Sequence, residues 1–86
     1  MSSIYSSYQK TLVEQLKEYR KESKMTQKEL ADNLGCTQAD ISKYEQGQKR
    51  LEFLEVRKIC CILGVDFITF VIQFEDLIKE GEQHDT

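Results

Sequence analysis

The sequence predicts an all-α fold, in which one domain of 86 residues forms a compact bundle of five helices. Three observations predict it: the chain contains no proline, apolar residues recur at helical spacing, and each glycine follows such a segment. Proline disrupts helix interiors, whereas a glycine can close a helix in the left-handed conformation without steric cost. The glycines interpreted as helix ends are Gly35, Gly47, Gly64 and Gly81.

The first helix is predicted to begin near Ser6 or Ser7 and to end near Ser23. Its apolar face carries four residues at helical spacing, which are Tyr8, Leu12, Leu16 and Tyr19. The two tyrosines lie on this stripe, so they are interpreted as core residues rather than as base-stacking ones. Residues 1–5, before this helix, and residues 82–86, at the other end of the chain, are expected to be flexible.

Two short helices are predicted next, over residues 26–34 and 37–46. Thr26 and Glu29 match a capping box, in which each side chain accepts a hydrogen bond from the backbone N–H of the other residue. Thr37 is a suitable N-cap for the second of the two helices. These caps fix where both helices begin and therefore how short the connection between them is.

The fourth and fifth helices are predicted over residues 53–63 and 67–80. The fourth has one apolar stripe, which consists of Phe53, Val56, Ile59, Cys60 and Leu63. Asp66 can cap the fifth. An alternative assigns residues 59–74 to strands, because β-branched and aromatic residues are dense there. Apolar spacings of three, four and seven residues, together with the absence of hairpin turn residues, favour helices.

The fifth predicted helix has an unusually wide apolar arc. One face is formed by Phe67, Phe70, Val71, Phe74, Leu77 and Ile78. Ile68 and Ile72 widen the arc to about 220°, whereas a surface helix needs a stripe of only about 100°. The core of one small chain cannot cover this arc. The six residues of that face are therefore predicted to form the interface of a symmetric homodimer.

Composition argues against several classes of protein. Cys36, Cys60 and Cys61 have no metal-ligand spacing, and the one histidine, His84, lies in a polar tail, so neither a metal nor a cofactor is expected. No Ser/His/Asp grouping or glycine-rich phosphate loop is present, so the sequence predicts no catalytic residue and no enzymatic activity. The longest apolar run, residues 59–65, is far shorter than the roughly 20 residues that span a bilayer. Without a signal peptide in residues 1–8, a cytoplasmic protein is expected.

The predicted helices over residues 26–34 and 37–46 are separated by Gly35 and Cys36, which is the length and chemistry of a helix-turn-helix spanning about residues 26–45. Ala31 is small where two helices that cross steeply must approach closely. Gly35 occupies the position that needs a positive φ. Ile41 and Tyr44 lie three residues apart on the inner face of the second helix and close the contact between the two.

Residues 12–70 resemble the phage repressor and Cro-like family, also called the Xre family of helix-turn-helix regulators. The most specific stretch is MTQKELADNLGCTQADISKYEQGQKR. The resemblance implies a lambda-repressor-like domain that binds double-stranded DNA and regulates transcription. Two positions depart from the family pattern: Lys24 stands where the family often has glycine, and no proline occurs near Leu51.

The resemblance also implies roles for individual residues. Contact with base edges is implied for Gln38, Ala39 and Lys43, whose side chains suit adenine, the thymine methyl group and guanine respectively. Contact with the DNA backbone is implied for Thr26, Gln27, Thr37, Ser42, Gln48, Lys49 and Arg50. An internal ion pair that ties the first helix to the end of the third is implied for Arg20 and Glu45.

The predicted function is therefore that of a transcriptional repressor that binds a palindromic operator as a homodimer. The net charge of −3 is unfavourable for this function, although residues 17–50 carry eight basic and six acidic side chains. Residues 51–86 carry three basic and eight acidic ones. This acidity supports an alternative: an antitoxin or other interaction module, whose fifth helix and acidic C-terminal part bind a protein partner such as a toxin or an antirepressor.

Overall fold

The structure, a computed structural model, describes residues 3–84 of the protein. Five α-helices follow one another: α1 (Ser3–Glu22), α2 (Gln27–Leu34), α3 (Gln38–Glu45), α4 (Phe53–Leu63) and α5 (Phe67–His84). No strand occurs among these residues. The all-α, five-helix prediction is confirmed. The alternative of strands over residues 59–74 is wrong, because α4 and α5 occupy that segment.

Two helices extend further than the sequence predicted. Helix α1 begins at residue 3 rather than near residue 6, and α5 continues to residue 84 instead of ending near residue 80. The interpretation of Gly81 as a helix end is wrong, because it lies inside α5, where a glycine costs only about 1 kcal/mol relative to alanine. Of the flanks expected to be flexible, residues 3–5 and 82–84 are helical, and residues 1, 2, 85 and 86 lie outside the described part of the chain.

Local side chains fix the ends of α2 and α3. Thr26 Oγ1 accepts a hydrogen bond from the N–H of Glu29 at 3.0 Å, and the Glu29 carboxylate accepts one from the N–H of Thr26 at 2.8 Å. Thr37 and Asp40 form the same arrangement at the start of α3. Gly35 closes α2 with φ 80°. The predicted capping box, the N-cap at Thr37 and the helix-ending glycine at Gly35 are confirmed.

Residues from all five helices form one core. Its buried members are Val13, Leu16, Leu30, Ala31, Ile41, Tyr44, Val56, Ile59, Cys60, Leu63 and Phe70. The positions predicted to be inward-facing on α3 and α4 are therefore mostly correct. Phe53 is the exception, since its side chain is 68% exposed and its ring packs edge-on against Phe67 at a centroid distance of 5.3 Å.

Two tyrosines of α1 hold α5 in place. The Tyr19 ring lies 6.0 Å from that of Phe70, and its hydroxyl donates a hydrogen bond to Gln73. Tyr8, which the apolar stripe of α1 predicts to lie in the core, is only half-buried. Its hydroxyl donates to the Glu82 carboxylate at 2.8 Å, and this hydrogen bond raises the pKa of the phenol. Helix α5 is thus fastened to α1 beyond the core, which the sequence pattern alone did not show.

The wide apolar arc of α5 is only partly covered. The expectation that Phe70 contributes to a dimer interface is wrong, because its side chain is 1% exposed and belongs to the chain's own core. On the opposite side, Ile68 and Ile72 are 65% and 57% exposed. We use the name apolar patch for the contiguous surface of Phe53, Phe67, Ile68, Val71 and Ile72. Leu77, which is also exposed, lies on a different flank of α5.

Candidate nucleic-acid interface

Helix α3 has one buried face and one exposed edge. Ile41 and Tyr44 are 1% and 2% exposed and anchor the helix in the core. Gln38, Ala39 and Lys43 are all exposed on the other side. A short helix anchored on one face and polar on the other is the element that enters the major groove in helix-turn-helix proteins. The structure therefore brings together the three residues to which the sequence assigned base contact.

A buried ion pair lies directly behind this edge. Arg20 donates hydrogen bonds to both carboxylate oxygens of Glu45, from Nε at 2.7 Å and from the terminal nitrogen at 3.1 Å. The two side chains are only 11% and 2% exposed. Arg20 also donates to the carbonyl oxygen of Met25 at 2.8 Å. The hydrogen bond to Glu45 raises the pKa of the guanidinium, so Arg20 stays protonated, and the ion pair ties α1 to the end of α3.

The ion pair is connected to the exposed edge through glutamines. Gln27 Nε2 donates to Glu45 Oε1 at 2.9 Å, and Gln27 Oε1 accepts from Gln38 Nε2 at 3.4 Å. An amide nitrogen carries two hydrogens, so Gln38 keeps one donor, and its Oε1 has no partner among the described residues. One donor and one acceptor on an oriented amide are what the major-groove edge of adenine requires.

Three hydroxyl groups at the starts of α2 and α3 and within α3 accept a hydrogen bond from the chain itself and can still donate one. Thr26 and Thr37 each use the hydroxyl oxygen to accept from a backbone N–H at the start of a helix. Ser42 Oγ accepts from Gln46 Nε2 at 3.0 Å. Each hydroxyl therefore retains its own hydrogen. Phosphate oxygens only accept hydrogen bonds, so all three hydroxyls suit a phosphate.

The connection between α3 and α4 forms one wall of a cleft of about 410 Å³. Lys49 and Arg50 line it from this loop, after Gly47 turns the chain with φ 78°. Gln9 and Lys10 line it from α1. Sequence reasoning missed these two residues, since they lie about 40 positions from the loop and no local pattern marks them. The cleft places cationic groups from two distant segments on one surface.

The described residues were also compared with what a reactive cysteine, a metal site or a membrane-spanning helix requires. Burial raises the pKa of the Cys36 thiol, and burial also raises that of Cys60 to about 11, which is the opposite of the shift that makes a cysteine reactive. Within residues 3–84, no three His, Cys, Asp or Glu side chains are grouped closely enough to hold a metal ion. None of the five helices described is long and apolar enough to cross a membrane.

Comparison with known proteins places this geometry in context. A family model described as helix-turn-helix matches residues 16–70. The wild-type restriction-modification controller protein C.Esp1396I superposes with a TM-score of 0.76 and 24% identity, covering 83% of this chain and 93% of that one. A single-residue mutant of that protein gives 0.73 and 30%, covering 90% and 96%. The clp gene regulator ClgR from Corynebacterium glutamicum gives 0.75 and 22%, covering 91% and 84%. No curated protein sequence matches significantly.

Proposed function

Because the chain belongs to the Xre-type helix-turn-helix family of DNA-binding regulators, we propose that it represses transcription by binding a palindromic operator as a homodimer. The observation that carries this proposal is the exposed edge of α3, where Gln38, Ala39 and Lys43 stand clear of the core. In this function the chain acts as a single domain in the cytoplasm, by binding alone, without a cofactor and without turning over a substrate.

In the proposed complex, the N-terminal half of α3 lies in the major groove. Gln38 reads adenine through its free acceptor and remaining donor, and Gln27 keeps its amide in the required orientation. Lys43 approaches guanine, and Ala39 touches a thymine methyl group. A bidentate contact such as that of Gln38 contributes about 1 to 3 kcal/mol of discrimination against the wrong base. Sequence preference therefore depends on very few side chains.

Contacts with the DNA backbone surround this edge. We assign them to the start of α2, the start of α3 and the loop after α3, that is, to Thr26, Gln27, Thr37, Ser42, Gln48, Lys49 and Arg50. To these we add Lys10, which lines the same cleft as Lys49. Phosphate contacts position the protein without reading sequence. Their number sets how steeply affinity falls with salt, since each releases counterions from the DNA.

The proposed dimer buries the apolar patch. Monomeric soluble proteins rarely expose contiguous apolar surface of this kind without a function. Of the six residues that the sequence predicts at the interface, the proposed dimer retains Phe67, Val71, Phe74 and Ile78. Leu77 is left out because it lies on a different flank of α5, and the exposed Phe53, Ile68 and Ile72 are added. Binding to consecutive major grooves requires the dimer to hold its two copies of α3 about 34 Å apart.

A gel-shift titration tests the proposal. A duplex selected from a random pool is titrated with the wild-type protein and with the variants Gln38→Ala and Lys43→Ala. The control variant Lys79→Ala removes an exposed lysine of α5. Loss of one base contact should weaken binding by about 5- to 150-fold, and the control should bind like the wild type. Failure of the wild-type chain to bind any duplex in a salt-dependent way would overturn the proposed function.

A second candidate function rests on the same apolar patch. If it binds a different protein, the chain is an antitoxin-like or antirepressor-binding module, and the acidic side chains of residues 51–86 attract a basic partner. Light scattering separates the two. A particle of twice 10.1 kDa supports the homodimer, whereas a stable monomer that co-purifies with a small basic protein supports the interaction module.

A further inference from the structure

A second surface feature lies on the other flank of α5. A groove of about 570 Å³ runs between α1 and the middle of α5, and we call it the α1–α5 groove. Glu14, Glu18 and Glu22 line it from α1, and Gln73 and Leu77 line it from α5. No basic residue is among its lining side chains. The groove is separate from the apolar patch, because Leu77 and Ile68 are nine residues apart and project from opposite sides of α5.

The three glutamates form a row along α1. They are spaced four residues apart, so they occupy one flank of the helix and span about 12 Å at 1.5 Å per residue. All three are exposed, and none forms an ion pair among the described residues. Carboxylates four residues apart on a helix repel one another. No ion pair within the described residues accounts for the row.

A buried amide in the same groove also has an unused acceptor. Gln15 is only 8% exposed, and its Nε2 donates to the carbonyl oxygen of Phe70 at 3.1 Å. Its Oε1 is buried and has no hydrogen-bond partner, which is costly for a polar atom. Gln73 Oε1, in the same groove, already accepts from the Tyr19 hydroxyl. The groove thus offers acceptors and no positive charge.

We propose that the α1–α5 groove docks a basic helix of a partner protein, whose arginines pair with Glu18 and Glu22 and supply a donor to Gln15. Arginine carries five N–H donors and no acceptor, and its planar group pairs with carboxylates through two parallel hydrogen bonds. A helix with arginines four residues apart repeats the spacing of the glutamates. Glu14 lies between this groove and the cleft that contains Lys10, since it lines both. It is not needed for the proposed interaction.

The test uses the full chain and two synthetic alanine-based helical peptides. One carries three arginines at four-residue spacing, and the other carries three arginines two residues apart, so that they point around the helix. Binding is measured by fluorescence anisotropy of the labelled peptide. We expect the first peptide to bind at least tenfold more tightly than the second. Glu18→Gln with Glu22→Gln should weaken the first peptide at least tenfold.

The matched control removes the same charge elsewhere. Asp32→Asn with Glu75→Gln neutralises two exposed carboxylates outside the groove and should change binding by less than twofold. Circular dichroism checks that each variant is folded. The proposal is overturned if both double variants weaken binding equally, because the attraction is then to net charge alone. Equal affinity for the two peptides, or no binding of the first below 1 mM peptide, would overturn it as well.

Discussion

Mutations that break the Arg20–Glu45 ion pair should lower the free energy of unfolding of this domain strongly. Glu45 is 2% exposed and accepts three hydrogen bonds, two from Arg20 and one from Gln27. Glu45→Ala removes both acceptor oxygens, and with them all three hydrogen bonds. It leaves a guanidinium that is only 11% exposed without its counter-charge. Breaking a buried pair in this way costs about 3 to 5 kcal/mol. We expect the lower end, about 3 kcal/mol, because Arg20 keeps its hydrogen bond to Met25.

The effect is measurable by thermal unfolding followed by circular dichroism. For a domain of this size, 3 kcal/mol corresponds to a decrease of roughly 12 to 24 °C in the unfolding midpoint. Glu45→Gln, which keeps an acceptor but no charge, should lie between the wild type and the alanine variant. Glu18→Ala, an exposed glutamate of α1, should change stability by less than about 0.5 kcal/mol.

A double-mutant cycle isolates the cause. Arg20→Met removes the buried charge with little loss of volume, so Arg20→Met combined with Glu45→Ala should cost much less than the two single losses added together. Additive losses would show that the two side chains contribute independently. A loss below about 1 kcal/mol for Glu45→Ala would refute the view that this pair is desolvated in the folded chain.

Three further changes test other parts of the structure. Lys24 has φ 58°, so Lys24→Gly should raise the free energy of unfolding by about 0.5 to 1 kcal/mol. The reason is that the relief of left-handed strain in the folded chain exceeds the cost of the added freedom of the unfolded chain. An unchanged or lower free energy of unfolding would contradict this. The buried Tyr44 hydroxyl has no hydrogen-bond partner among the described residues, so Tyr44→Phe should unfold at the same or a higher urea concentration. A decrease of more than about 1 kcal/mol in the free energy of unfolding would show that the hydroxyl forms a hydrogen bond in the folded protein. Burial raises the pKa of Cys60 from 9.0 to about 11. The protonated thiol therefore stabilises the fold below pH 9, and this contribution is lost as the pH rises from 9 to 11. Over that interval the free energy of unfolding should fall more steeply in the wild type than in Cys60→Ala.

Features encoded within a few neighbouring residues could be predicted from the sequence. The capping box of Thr26 and Glu29 and the positive φ of Gly35 depend on local hydrogen bonds and local sterics, and the structure contains both. The resemblance marked Lys24 only as a departure from a family glycine and predicted no backbone conformation for it. A family glycine marks a backbone position that favours left-handed conformation, and Lys24 adopts that conformation.

Features that depend on which helix covers which face could not be predicted. Helical periodicity gave the width of the apolar arc of α5 but not the sector that α1 covers, so Phe70 was assigned to an interface instead of the core. The extension of α5 past Gly81 is accompanied by a hydrogen bond between Tyr8 and Glu82, which are 74 positions apart. The cleft shared by Lys10 and Lys49 has the same origin, since only folding brings α1 next to the loop after α3.

The distribution of charge on α1 is compatible with the proposed DNA binding despite the net charge of −3. Lys10, Lys17 and Lys21 share one flank of the helix, because they are seven and four residues apart, and Lys10 lines the cleft with Lys49. Glu18 and Glu22 occupy another flank and line the α1–α5 groove. At physiological ionic strength charges are screened over about 8 Å. In the proposed complex a phosphate at the cleft would therefore interact mainly with the charges that line it, which are Lys10, Lys49 and Arg50 together with the carboxylates of Glu14 and Glu45. Net charge sets the long-range attraction to DNA and therefore the association rate, whereas the affinity of the bound complex depends on this local arrangement.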